Sequence, residues 1–186
     1  MDWQDWALVF SFVAMLLIAS GYFVKKKSAF LLFQAAGLFF LMISYLCNGQ
    51  YFAMVGLAIA LIRLLIYYVH ERKEMDVSIW LCLGLCAVSL LAYGVVNLWI
   101  LKSFHPADIL YLIALITYMF VFRIRNIKTV RFAILLPTAM SIVYNLWAAA
   151  PVFAVISYCF EMSANVTSIL KYHVFGRAQD EKTSEE

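Results

Sequence analysis

Charged residues are scarce in this sequence, and so are the motifs of common enzymes. Only 13% of the 186 residues are charged, whereas a soluble domain is typically about 25% charged. The patterns Gly-x-Ser-x-Gly and His-Glu-x-x-His are missing, as are a nucleotide-binding loop and a pair of aspartates within apolar segments. These absences argue against an enzyme and against direct ATP coupling. We therefore expect no catalytic residue and no cofactor.

Cysteines and histidines are also few. Cys47, Cys82, Cys86 and Cys159 lie in apolar runs with no histidine or carboxylate at ligand spacing. They are therefore interpreted as small apolar side chains, and we predict neither a disulfide nor a metal site. The net charge is only +3, and the basic residues cluster at the ends of apolar segments. This distribution argues against nucleic-acid binding.

Apolar residues fill most of the chain. They make up 66% of it, and the mean hydropathy is +0.89. A membrane span needs about 20 apolar residues, and seven such segments account for nearly the whole sequence. We predict an all-α membrane protein of seven transmembrane helices in contact with the lipid bilayer. The spans are approximately 6–24, 30–47, 51–69, 79–101, 108–122, 130–147 and 151–172.

The seven spans divide into two similar triplets. When the chain is offset by 101 residues, the first three spans overlay the last three, and Lys27 meets Lys128 while Phe52 meets Phe153. Because a single span separates the triplets, both would enter the membrane in the same sense. This 3+1+3 parallel repeat is the arrangement of SWEET-type transporters. We predict a first bundle over 1–75, a linker helix over 76–104, a second bundle over 105–175 and a disordered cytoplasmic tail over 176–186.

Lysine and arginine indicate which side each loop faces. Cytoplasmic loops carry the excess of these residues, and an outer amino terminus places 12 of the 14 on the inner side. These are Lys25, Lys26, Lys27, Arg72, Lys73, Arg123, Arg125, Lys128, Arg131, Lys171, Arg177 and Lys182. Lys102 alone faces outside, and Arg63 lies within a span. The carboxyl terminus is thus predicted to be cytoplasmic.

Several short motifs resemble those of a known family. They are His105-Pro106, Tyr144-Asn145-Leu146-Trp147, Glu161-Met162-Ser163 and Ile62-Arg63. Together they resemble the YgjV-type bacterial inner-membrane proteins, a distant relative of the SWEET/PQ-loop group. The resemblance implies a multi-pass protein of the bacterial inner membrane and no settled activity. Two departures stand out: Tyr144 replaces the histidine of the family pattern, and the Pro-Gln pair is absent, leaving Pro137 for comparison.

Two ionisable residues lie at membrane depth. Arg63 lies about 12 residues inside the third span and Glu161 about 10 residues inside the seventh. Such groups are costly in lipid and are functional candidates by default. At 1.5 Å per residue their depths differ by about 3–5 Å, so the two side chains could pair at a central cavity. The pair either binds a small polar or anionic solute, with Glu161 balancing its charge or taking a coupling proton, or only locks two helices together.

Other polar residues accompany this pair. Asn145 lies on the sixth span, and Asn165 and Ser168 share one face of the seventh with Glu161. They are candidates for substrate binding or for interhelical hydrogen bonds. Pro137 is predicted to kink the sixth helix, as a hinge or as bent packing.

The sequence features favour one of three functional classes. The parallel repeat, the central charges and the lack of a sizeable soluble domain favour a small-solute transporter. The alternative is a non-transport scaffold or regulatory protein, and an intramembrane enzyme is the least favoured class. The sequence leaves the solute and the oligomeric state open.

Overall fold

The computed structural model describes residues 3–47, 51–95, 106–147 and 152–175. These residues form seven α-helices and no strand. The helices are α1 (Trp3–Gly21), α2 (Lys27–Cys47), α3 (Tyr51–Arg72), α4 (Ile79–Gly94), α5 (Ala107–Arg123), α6 (Ile127–Trp147) and α7 (Val152–Ile169), and the π-helical segment Leu170–Phe175 continues α7. The prediction of an all-helical chain with seven helices is confirmed for this part of the chain.

Polar residues in the short loops define where several helices begin and end. The Ser78 hydroxyl accepts a hydrogen bond from the backbone N–H of Trp80 (3.3 Å) before α4, and Asn126 accepts one from Lys128 (2.9 Å) at the start of α6. Such side chains satisfy the backbone donors that a helix start leaves without partners. After α3, Glu74 adopts φ 55°, the left-handed conformation that commonly terminates helices. The starts of α4 and α6 and the end of α3 are therefore specified by local contacts.

The helices fall into two groups by their packing. In the N-terminal triplet, α1 packs on α2 and α2 on α3; in the C-terminal triplet, α5 packs on α6 and α6 on α7. The triplets meet where α1 contacts α7 and where α3 contacts α5, while α4 packs on α3 and α5. Large aromatic side chains fill the centre, including Tyr22, Phe30 and Tyr67, which are almost fully buried. The core thus joins both triplets.

The outer surface is strongly apolar. Every helix exposes large hydrophobic side chains, such as Phe12 on α1, Trp80 on α4 and Leu136 on α6. Soluble monomers rarely expose extensive apolar surface, so this surface suits contact with lipid. By length and composition, Lys27–Cys47 and Ile127–Trp147 are long and apolar enough to cross a membrane, and Asp5–Gly21 and Ile79–Gly94 are shorter apolar helices.

Some predictions fall on parts of the chain that the structure does not describe. Three predicted segments lie outside the described residues: the turn at 48–50, residues 96–105 with Lys102 and His105, and the tail over 176–186. Pro137 lies inside α6 as predicted and is almost fully buried. The described helix boundaries agree with the predicted spans to within a few residues, and the predicted carboxyl end of the fourth span falls within the undescribed residues.

The contact between α1 and α2 depends on a glycine. A Cβ atom at Gly37 would collide with the Ile18 side chain and lie 3.1 Å from the Ala14 carbonyl oxygen. We expect Gly37→Ala to lower the free energy of unfolding by about 1–3 kcal/mol, because the helices must separate to admit the methyl group. Titration with SDS in mixed micelles measures the free energy of unfolding of each variant. Gly84→Ala is the control, since a Cβ atom at this position on α4 would have no neighbour within 4 Å; equal losses in both variants would contradict the packing argument.

Candidate functional site

A cavity of about 90 Å³ lies between the two triplets. Side chains from α1, α2, α3, α5, α6 and α7 line it. Arg63 of α3 and Glu161 of α7 both reach it, although they are far apart in sequence. The rest of the wall is mainly aliphatic and aromatic, with Gln34, Ser141 and Ser157 as uncharged polar residues. The structure therefore brings together the two charged candidates that the sequence singled out.

Arg63 is held by the opposite triplet. Only 3% of its surface is exposed. Its Nη1 donates to the carbonyl oxygen of Leu115 on α5 at 3.3 Å, and its guanidinium carbon lies 5.5 Å from the centre of the Phe122 ring, within the range of a cation–π contact. Its Nε is buried with no hydrogen-bond partner. A guanidinium has five N–H donors, so Arg63 retains unused capacity to bind an anion.

Glu161 is also held by the opposite triplet. Its Oε1 accepts a hydrogen bond of 2.6 Å from the hydroxyl of Tyr22, just beyond the end of α1. The carboxylate is buried, and a buried carboxylate needs such a donor because few water molecules reach it. A carboxylate can accept several hydrogen bonds, so this contact leaves capacity on Glu161.

The two charges do not form the direct ion pair expected from the sequence. Among the described residues, ion pairs within 4 Å join Lys27 to Glu71 (2.8 Å) and Arg125 to Asp76 (2.6 Å). The expectation of a direct pair is therefore wrong. The physical reason is that each charge already has partners from the opposite triplet: the Leu115 carbonyl and the Phe122 ring contact the guanidinium, while the Tyr22 hydroxyl contacts the carboxylate.

Tyr118 on α5 is a cavity residue that sequence reasoning missed. Its ring stacks on that of Phe122 (5.8 Å between centroids), the same ring that the Arg63 guanidinium contacts. Its hydroxyl forms a hydrogen bond of 2.9 Å with Thr138 of α6. Nothing in the sequence distinguishes it, because a tyrosine within an apolar helix carries no charge and follows no motif. Only the packing of α5 against α6 reveals it.

The remaining candidates do not line the cavity. Asn145 donates to the carbonyl oxygen of Ser141, one turn earlier on α6 (2.6 Å). Asn165 donates to the carbonyl oxygen of Arg131 (2.7 Å), and Ser168 to that of Tyr22 (2.5 Å). All three are buried. Their contacts are those of the structural alternative, in which polar side chains satisfy backbone groups within and between helices.

The end of α1 forms a second polar cluster, which we call the α1 clamp. It consists of the carbonyl oxygens of residues 22–24 and the side chains that donate to them. Ser168 binds the Tyr22 carbonyl, Tyr172 the Phe23 carbonyl (2.7 Å) and Arg131 the Val24 carbonyl (2.7 Å). Residues 22–24 follow the end of α1, so their carbonyl oxygens have no partners within the helix. Side chains of α6 and of α7 with its π-helical extension supply the donors. Tyr22 thus links the clamp to the cavity residue Glu161.

The described residues contain no group of three or more histidine, cysteine, aspartate or glutamate side chains that could hold a metal ion. The cavity instead offers a guanidinium, a carboxylate and several hydroxyls. Together these groups can bind a small polar molecule by charge and hydrogen bonding.

The Tyr22–Glu161 contact predicts coupled stabilities. Tyr22→Phe should lower the free energy of unfolding by about 1.5–3 kcal/mol, because the carboxylate loses its donor. In a double-mutant cycle with Glu161→Leu, which removes the acceptor, the two losses measured by SDS titration should not add. Ser44→Ala with Glu161→Leu is the control pair and should be additive, since the Ser44 hydroxyl binds the Ala7 carbonyl, outside the cavity and the α1 clamp. Additive losses for Tyr22→Phe and Glu161→Leu would rule the contact out.

Comparison with known proteins identifies the family. The family model Imp-YgjV, described as a bacterial inner membrane protein, matches residues 5–174. Comparisons with curated proteins and with solved structures gave no match. The family match covers most of the 186 residues, and it confirms the resemblance seen in the sequence motifs. The chain therefore belongs to the Imp-YgjV family of bacterial inner membrane proteins.

Proposed function

We propose that this protein is a small-solute transporter whose solute binds in the cavity between Arg63 and Glu161. One observation carries the proposal: two opposite charges are buried on the same cavity, and each is held by the opposite triplet instead of by the other charge. Buried ionic groups stabilise a fold poorly compared with apolar replacements. A role in binding a solute accounts for the presence of both charges, whereas stabilisation of the fold does not.

The proposed architecture is a bundle of seven transmembrane helices in a 3+1+3 parallel repeat, with α4 as the linker. The contacts of α3 with α5 and of α7 with α1 support it, because a repeat related by a two-fold axis makes these two interfaces equivalent. Tyr67 and Ser168 support it further, because they are equivalent positions under the 101-residue offset and each donates to a carbonyl group of the opposite triplet. The Tyr67 hydroxyl donates to the Met119 carbonyl of α5 at 3.0 Å, and Ser168 donates to the Tyr22 carbonyl beside α1.

The proposed route to the cavity passes the α1 clamp. If the amino terminus is outside, the α1 clamp lies at the cytoplasmic end of the helix bundle, next to the basic residues that begin α2. Opening this end requires the hydrogen bonds of Arg131, Ser168 and Tyr172 to the end of α1 to break. The buried Pro137 interrupts the backbone hydrogen bonding of α6, and it provides a place where that helix bends during the change.

The proposed orientation predicts which side of the membrane each loop faces. In a variant whose four cysteines are replaced by serine, Lys26→Cys and Arg125→Cys should react with a membrane-impermeant thiol reagent only in inverted vesicles. Lys102→Cys, whose position lies outside the described residues, should react in intact spheroplasts. Labelling of Lys26→Cys from the outer side would reverse the orientation, and labelling of Lys26→Cys and Arg125→Cys from opposite sides would overturn the span count between them.

If the protein is a transporter, at least one solute should enter sealed vesicles that contain it, and this uptake should require Arg63 and Glu161. Proteoliposomes containing the protein, incubated with a mixture of small polar metabolites and analysed by mass spectrometry, should accumulate at least one of them. Arg63→Leu with Glu161→Leu should abolish this uptake. The control is Arg125→Leu with Asp76→Leu, which removes an exposed ion pair away from the cavity. Unchanged uptake in the cavity double variant would end the proposal, and the absence of any uptake would favour the scaffold or regulatory role.

A further inference from the structure

The cavity combines two opposite charges that remain separate. Arg63 and Glu161 lie on its wall, on α3 and α7, and each keeps capacity to bind another group. A ligand with only a negative charge would satisfy Arg63 and leave Glu161 buried without a cation. A ligand with only a positive charge would satisfy Glu161 and leave Arg63 buried without an anion. An uncompensated buried charge is strongly unfavourable, so the cavity favours a ligand that carries both charges.

The donor geometry indicates which anion and which cation fit. A guanidinium presents its N–H groups as a planar fork that matches the two oxygens of a carboxylate, and the Arg63 Nε has no partner. On α7, Glu161 accepts one hydrogen bond from the described residues, from the Tyr22 hydroxyl. A primary ammonium group, which carries three donors and a positive charge, complements the remaining carboxylate oxygen.

The rest of the wall indicates a small apolar body. Four tyrosine rings face the cavity, Tyr45, Tyr111, Tyr118 and Tyr158, together with aliphatic side chains. The cavity volume of about 90 Å³ is several times the roughly 10–15 Å³ that a single water molecule requires. The cavity therefore admits a molecule larger than water, and L-alanine, L-valine and L-leucine represent aliphatic amino acids of increasing size.

We propose that the cavity binds a small zwitterionic amino acid with an aliphatic side chain, its carboxylate on Arg63 and its ammonium group on Glu161. This inference rests on the proposed function for the role of the cavity, and it adds the chemical class of the solute. A ligand that contacts both charges uses the binding capacity that the protein's own contacts leave on each.

Matched analogues test the proposal on the purified full-length protein. Binding of L-alanine, L-valine and L-leucine is measured by thermal shift and by equilibrium binding, against 4-methylpentanoate, which lacks the ammonium group, and 3-methylbutylamine, which lacks the carboxylate. At least one amino acid should bind roughly 30-fold or more tightly than either analogue, because each analogue leaves one cavity charge unpaired. If all three amino acids bind no better than the analogues, the proposal is overturned.

Charge-specific variants separate ligand recognition from a structural effect. Arg63→Gln should reverse the preference towards 3-methylbutylamine, and Glu161→Gln should reverse it towards 4-methylpentanoate. Arg125→Gln is the matched control, since its ion pair with Asp76 is largely exposed, and its affinities should equal those of the parent. A general loss of stability would weaken all ligands equally, so variants that fold and keep the parent's preference would overturn the proposal.

The outcome also separates this inference from the transport proposal. Amino-acid binding without uptake into proteoliposomes would support the zwitterion site and remove the transport role. Uptake of an uncharged or singly charged solute that depends on Arg63 would support transport and overturn the zwitterion site.

Discussion

Burying charge in an apolar medium is the constraint on which the centre of this protein depends. A charged side chain at membrane depth costs at least about 2.5–3.5 kcal/mol on insertion scales, and Arg63 and Glu161 are both buried in the core. The cost is reduced by partners from the facing helices: the Leu115 carbonyl and the Phe122 ring for Arg63, and the Tyr22 hydroxyl for Glu161. Because each charge is held across the boundary between the triplets, the same contacts that satisfy the charges also connect the two groups of helices.

The same principle governs the end of α1. The carbonyl groups of residues 22–24, which follow the helix, have no partners within it, and Ser168, Tyr172 and Arg131 donate to them from α6 and from α7 with its extension. Tyr22 connects this cluster to the cavity, since its hydroxyl binds Glu161 and its carbonyl oxygen accepts from Ser168. A change in the charge or occupancy of Glu161 therefore acts directly on the residue that adjoins the α1 clamp. This physical link joins the proposed binding site to the proposed route of access.

Sequence reasoning succeeded where the signal was local. Apolar runs separated by charged loops predicted the helices, because a helix in lipid must be apolar along its length and its backbone groups must be satisfied internally. The depth of Arg63 and Glu161 within their helices predicted that they share a cavity. The roles of Asn145, Asn165 and Ser168 were left open by sequence, because a buried amide or hydroxyl serves a solute and a backbone carbonyl equally well. Their bonds to Ser141, Arg131 and Tyr22 became visible only when the helices were packed.

Composition and the positions of residues along each helix were enough to predict the helical class, the approximate helix boundaries and the two residues whose charge is expensive to bury. A chain displays these properties without folding. Packing of the helices was needed to show that Arg63 and Glu161 line one cavity without pairing, that Tyr22 donates to the carboxylate and that Tyr118 stacks on the ring that the guanidinium contacts. Tyr22 and Glu161 are 139 residues apart, and their contact depends on how α1 meets α7, a relation that no local pattern encodes.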